Sequence, residues 1–155
     1  MSSLIRFFAS SVGTKVLIAL TGLGFAGFLV THLAANLIVL VSPRAYNEYS
    51  HKLISNPLIY VAEAGLALLF LTHAFKAVFT VLRNRDARGG AYAVKRQARH
   101  TSRKSLASTT MILSGLWLLV FMVLHLKTFK FGPWYETPDG MRDLSQLVQE
   151  VFRGP

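Results

Sequence analysis

The chain has 155 residues, 52% of them hydrophobic and only 15% charged, which leaves too little polar surface for an ordinary soluble domain. It contains no cysteine, so disulfides, zinc–thiolate sites and cysteine-ligated iron–sulfur clusters are excluded. A formal net charge of +10 would point to nucleic acid in a soluble protein, whereas in a membrane protein it marks cytoplasmic loops and contact with lipid headgroups.

The first eleven residues hold one Arg, two Phe and several Ser. The apolar run that follows, 16–41, is about twice as long as the apolar part of a secretory signal and reads as a retained membrane span. Two further segments, 58–82 and 106–126, are also apolar enough to cross a bilayer, which takes roughly 20 residues. Each span carries one histidine: His32, His73 and His125. The second also holds Glu63 and Lys76. Between the first two spans, Asn56-Pro57 signals a turn before a helix start, and residues 45–54 predict a short interfacial helix.

The connection 83–104 carries nearly half of the chain's 17 Lys and Arg against one acid, Asp86, and Gly89-Gly90 breaks it. With only Tyr92 as an aromatic, and lying between two spans, it does not read as a nucleic-acid site. Short loops rich in Lys and Arg stay cytoplasmic, so the N-terminus is expected inside and the tail outside. Within the tail, 133–155, Met141, Leu144, Leu147, Val148, Val151 and Phe152 fall at helical spacing and predict an amphipathic helix on the membrane surface. The expected fold is an all-α integral membrane helix bundle, one transmembrane domain over 1–155 with three spans and short interfacial helices.

The first and third spans share a pattern. Thr21-Gly22-Leu23 precedes Phe28 and His32-Leu33, and Ser114-Gly115-Leu116 precedes Phe121 and His125-Leu126. From glycine to Phe is six residues and to His ten in both copies, which lie 93 residues apart. Both spans run from inside to outside, so His32 and His125 are expected at matched depth, a placement suited to ligating one haem iron from opposite sides. Gly22 and Gly115, lacking side chains, would let a flat group approach the backbone. His73, counted from Arg83, falls nearer the inside than His32 by about 10 Å and calls for a ligand partner at its own depth. A buried histidine that merely hydrogen-bonds a neighbour is the plain alternative, as are glycines that serve helix packing. Ionisable groups within a membrane are costly and usually functional, and three spans with one histidine each favour haem.

The stretches Ser11-Val12-Gly13-Thr14-Lys15 through His32-Leu33, Ala45-Tyr46-Asn47-Glu48-Tyr49, Glu63-Ala64-Gly65 through His73, and Ser114-Gly115 through His125-Leu126-Lys127-Thr128-Phe129-Lys130-Phe131-Gly132 resemble the cytochrome b558-type membrane anchor of succinate dehydrogenase and fumarate reductase. The resemblance covers nearly the whole chain and rests on the order and spacing of these motifs. It implies a five-helix anchor in a bacterial or archaeal cytoplasmic membrane with two b haems across the bilayer. A flavoprotein and an iron–sulfur subunit would dock on the cytoplasmic side, and electrons would pass to or from menaquinone or another quinone. By position, His32 and His125 would hold the outer haem and His73 one side of the inner haem. The chain itself would be a non-catalytic redox subunit. The family pattern continues for two more spans with a fourth histidine, so further helices are expected in the remainder of the polypeptide or in another chain. Glu63 is a candidate for proton exchange with a quinone, and Arg99, His100, Arg103 and Lys104 for subunit contact. Two other functions remain open: a haem-free structural anchor with a quinone pocket, and a di-haem anchor of another respiratory dehydrogenase.

Overall fold

The structure, a computed structural model, describes residues 3–90 and 105–153. The loop residues 91–104, with the proposed subunit contacts Arg99, His100, Arg103 and Lys104, lie outside the described residues. The chain divides into two compact units, Met1–Gly90 and Ala91–Pro155.

The first unit is helical throughout: α1 (Ser3–Ala9), α2 (Ser11–Val41), α3 (Pro43–Ile54) and α4 (Leu58–Arg88). Serines set the boundaries. The Ser10 hydroxyl donates to the Phe7 carbonyl at 2.6 Å and accepts from the Gly13 amide at 3.1 Å, closing α1 and opening α2 with one residue. The turn is so tight that a side chain on Gly13 would run into the Phe7 carbonyl. Ser42 does the same between α2 and α3. Its amide donates to the Ile38 carbonyl, its hydroxyl accepts from the Ala45 amide, and Pro43 fills the first helical position, where no amide is needed. The interfacial helix thus begins two residues before the expected 45. Asn56 Oδ1 accepts from the Leu58 amide at 2.9 Å to start α4. That helix continues past the expected 82 to Arg88 and ends where Gly89 turns left-handed, at φ 64°, a conformation open to glycine at no steric cost.

Helices α2 and α4 pack antiparallel. Phe25 meets Phe70 edge-to-face at 6.1 Å. Gly24 lets Leu69 in so closely that a Cβ there would lie 2.9 Å from Leu69 Cδ1. Near the α1 end, Lys76 Nζ donates to the Phe8 carbonyl at 3.4 Å, so this cation serves the exposed end of α1, where free carbonyls and the negative end of the helix dipole favour it. On the far side α3 folds back along α2, burying Tyr46, Asn47 and Ser50.

The second unit contains α5 (Leu106–His125), a π-helical turn (Leu126–Lys130) and α6 (Leu144–Arg153). Ser105 caps α5, accepting from the Ser108 amide. Immediately after His125 the helix widens, and the Phe131 amide reaches back five residues to the Leu126 carbonyl at 3.0 Å. The tail then reverses through a single bridge between Glu136 and Arg142, with Gly140 at φ 75°. Asp143 Oδ1 accepts from the Gln146 amide and opens α6. Met141, expected on the tail helix, instead belongs to this reversal, its amide donating to Thr137 Oγ1 at 3.1 Å. A polar turn supplies its own hydrogen bonds and delays the helix until Asp143 can cap it. Leu147 anchors α6 and is 2% exposed.

Three helices, Ser11–Val41, Leu58–Arg88 and Leu106–Lys130, are long and apolar enough to cross a membrane. Their large side chains, among them Leu23, Val30, Phe75 and Trp117, are exposed within the chain, as expected for groups whose solvent is lipid. Among the described residues the isolated Glu136–Arg142 bridge is the one departure toward extended pairing.

Candidate functional site

His73, on α4, is held against α2. Its Nδ1 lies 2.9 Å from Thr21 Oγ1 on α2. The Thr21 hydroxyl also sits 2.7 Å from the Leu17 carbonyl and 3.1 Å from that of Ile18, in its own preceding turn. Phe25, one turn further along α2, presents its ring edge-to-face at 5.9 Å and 86°. Gly22 lies beside the ring, and a Cβ there would stand 3.4 Å from His73 Cε1, in contact with it. From the sequence, Gly22 is expected to let a flat cofactor approach the backbone; the ring that lies beside it in the structure is the His73 imidazole.

His32 and His125 share a different local geometry. Phe28 stacks on His32 with centroids 5.1 Å apart and rings inclined by 29°. Phe121 stacks on His125 at 5.4 Å and the same 29°. A spacing of four residues places each pair on one helix face, so the repeated frame of the sequence becomes a repeated Phe–His unit. The surroundings then diverge. Asn36 Nδ2 donates to the His32 carbonyl at 2.7 Å, and Tyr46 of α3 donates its hydroxyl proton to Asn36 Oδ1 at 2.9 Å. His125 has a second ring against it, Phe129 at 5.0 Å and 47°, carried on the π-helical turn. The Phe129 carbonyl accepts from Arg142 Nη2 at 3.0 Å, and the guanidinium lies 4.8 Å over the Trp134 ring. The tail therefore grips the turn that follows His125.

Ser114 returns its hydroxyl to the Met111 carbonyl at 3.0 Å, and a Cβ on Gly115 would point into open space. The α2–α4 register also fixes depth within the first unit. His73 is level with Thr21 and Gly22, and His32 lies ten residues further along α2, about 15 Å at the helical rise. That exceeds the 10 Å expected from counting to basic residues, because the charged ends of α2 and α4 are not level. The same register, carried ten residues toward the start of α4, sets Glu63 level with His32.

The donor chemistry fits haem. All three histidines are half-buried, and among the described residues no three His, Cys, Asp or Glu side chains converge. An imidazole beside aromatic rings is a donor of the kind haem iron takes, and Phe28 lies on His32, Phe121 and Phe129 on His125, and Phe25 at the edge of His73. Residues that sequence reasoning missed are Phe25, Asn36, Tyr46, Phe129 and Arg142. The signal available for Thr21 was its place in the repeated hydroxyl–glycine pair.

The fold and these residues define an all-helical membrane chain with one half-buried histidine in each of three spans. No family model, curated protein or solved structure matches it.

Proposed function

We propose that this chain is the haem b-containing membrane anchor of a succinate:quinone oxidoreductase, a succinate dehydrogenase or fumarate reductase. In that role it passes electrons between an iron–sulfur subunit and a membrane quinone. The observation that carries the reading is the repeated Phe–His unit, with Phe28 on His32 and Phe121 on His125 at the same 29° inclination. Haem, when bound, supplies a one-electron carrier that side chains cannot provide. His32 and His125 would hold the outer haem, with the stacked phenylalanines excluding water and fixing each ring. His73 would hold one side of the inner haem, its other ligand coming from a helix outside these residues. Glu63, level with His32, would exchange the quinone's proton near the outer haem. The N-terminus lies on the cytoplasmic side in this reading, and the basic segment 83–104 meets the iron–sulfur subunit and anionic lipid.

The test is the reduced-minus-oxidised visible spectrum of the purified complex, together with the identity of its soluble subunits. Two b-type haems and succinate–quinone activity in a co-purifying flavoprotein are expected. A complex that lacks haem while retaining activity would make the chain a structural anchor. Two haems with a formate or hydrogen-oxidising partner would assign it to another respiratory dehydrogenase.

A further inference from the structure

We infer that Thr21 is a positioning residue that writes the tautomer of His73, so that Nε2 is presented as a bare lone pair before any cofactor arrives. The inference deepens the haem reading and rests on it for its purpose, though not for its geometry.

Thr21 has one hydroxyl proton and three close polar neighbours: the Leu17 carbonyl at 2.7 Å, the Ile18 carbonyl at 3.1 Å and His73 Nδ1 at 2.9 Å. Carbonyl oxygens accept and never donate. If the hydroxyl gave its proton to Nδ1, its oxygen would face the Leu17 carbonyl at 2.7 Å lone pair to lone pair. Within a membrane span no water relieves such a contact. If instead the proton is shared between the Leu17 and Ile18 carbonyls of the preceding turn, as helical threonines bond back to their own helix, neither carbonyl faces the hydroxyl oxygen without a proton between them. His73 Nδ1 then carries its own proton and donates it to Thr21 Oγ1. The neutral ring has one N–H and one lone pair, so the lone pair is on Nε2. Gly22 against Cε1 and Phe25 at the ring edge hold the imidazole in that orientation. The backbone of α2 thus selects the nitrogen that α4 offers to iron. A hydrogen bond of this kind to the far nitrogen of a metal-bound histidine fixes the ring and raises its basicity.

Two measurements test this. The first is nitrogen-15 solid-state NMR of the full chain in lipid, with labelled histidine, made without haem and with His73→Gln used to assign the resonance. A protonated Nδ1 and an unprotonated Nε2 are expected. Thr21→Val should lose the single tautomer and Thr21→Ser should restore it. A wild-type ring protonated on Nε2, or an unchanged ring in Thr21→Val, overturns the inference. The second is haem retention and redox titration of the complete complex. Thr21→Val should weaken inner-haem binding by roughly 10–100-fold and move the inner-haem potential upward, with the outer haem unchanged and Thr21→Ser close to wild type. An inner haem indifferent to Thr21→Val overturns the positioning role. A wild-type complex with no haem removes the purpose and sinks the haem reading, while the NMR result still decides the tautomer.

Discussion

Tyr46 reaches across the α2–α3 corner to give its hydroxyl proton to Asn36 Oδ1 at 2.9 Å, and Asn36 in turn donates to the carbonyl of His32. An interfacial helix is thereby tied to the backbone of a candidate ligand. Tyr46 is 7% exposed, so its hydroxyl is sheltered from water. Tyr46→Phe should lower stability by about 1 kcal/mol, the net worth of one such bond. Asn36→Leu should cost more, because it removes two bonds at once, the one from Tyr46 and the one to the His32 carbonyl. Thermal unfolding of the detergent-solubilised protein reads both. An Asn36→Leu protein as stable as wild type would show that the tie carries no energy.

His32→Ala and His125→Ala should give the same phenotype, loss of one haem with the other retained, since the proposal places them on one iron. His73→Ala should remove the complementary haem. Haem-to-protein ratios and the two redox components of the reduced spectrum distinguish these outcomes. If the His32 and His125 variants lose different components, the shared iron is refuted.

At Gly22 the space is graded. A Cβ would meet His73 Cε1 at 3.4 Å, ordinary contact distance, so Gly22→Ala should keep both haems. Gly22→Leu would drive its branched end into the imidazole and should abolish the inner haem. An inner haem retained in Gly22→Leu would show that the space beside His73 does not matter to its binding.

The tail gives a pH prediction. Tyr135 donates to Glu150 at 2.5 Å, which holds the carboxyl below its ordinary 4.5, with further help from Gln146 and Arg153, and pushes the phenol above its ordinary 10.0. For Glu150 the lowered value means a contribution present above 4.5 and lost as pH falls through the folded value. For Tyr135 the raised value means a contribution present below 10.0 and lost as pH rises through the folded value. The tie is therefore intact across the neutral range and released at both extremes. In Tyr135→Phe, the Glu150 carboxyl should titrate closer to 4.5 by NMR. An unmoved titration would show that the hydrogen bond does not persist in solution.

Much of the fold was legible in the residues, for physical reasons that also mark where legibility stops. An apolar run marks how much of a helix sits in lipid, not where the helix begins. Residues 16–41 marked the first span, but the helix starts at Ser11, where Ser10 can cap it. The same serine signal stood in plain view at Ser42 and Ser105. The second span's helix runs on through charged residues to Arg88, since Lys and Arg are good helix formers and only Gly89 ends it. The π-helical turn after His125 left no trace, because Leu126-Lys127-Thr128-Phe129-Lys130 suits an ordinary helix equally well. The Phe28–His32 and Phe121–His125 pairs could be read from spacing alone, as they lie within single helices. The pairing of Thr21 with His73 could not, for it depends on the register of two antiparallel helices and on which way a hydroxyl turns.

The depth difference between His73 and His32 also has an electrical meaning. About 15 Å along the helix axis is half of a hydrocarbon core of roughly 30 Å. In the proposed role, an electron passing between those two levels would traverse about half of the transmembrane voltage. At about 2.3 kcal/mol per elementary charge for each 100 mV, that is roughly 1 kcal/mol per electron for each 100 mV across the membrane. Turnover through this subunit would then be coupled to the energised state of the membrane, speeding or slowing as the voltage is collapsed.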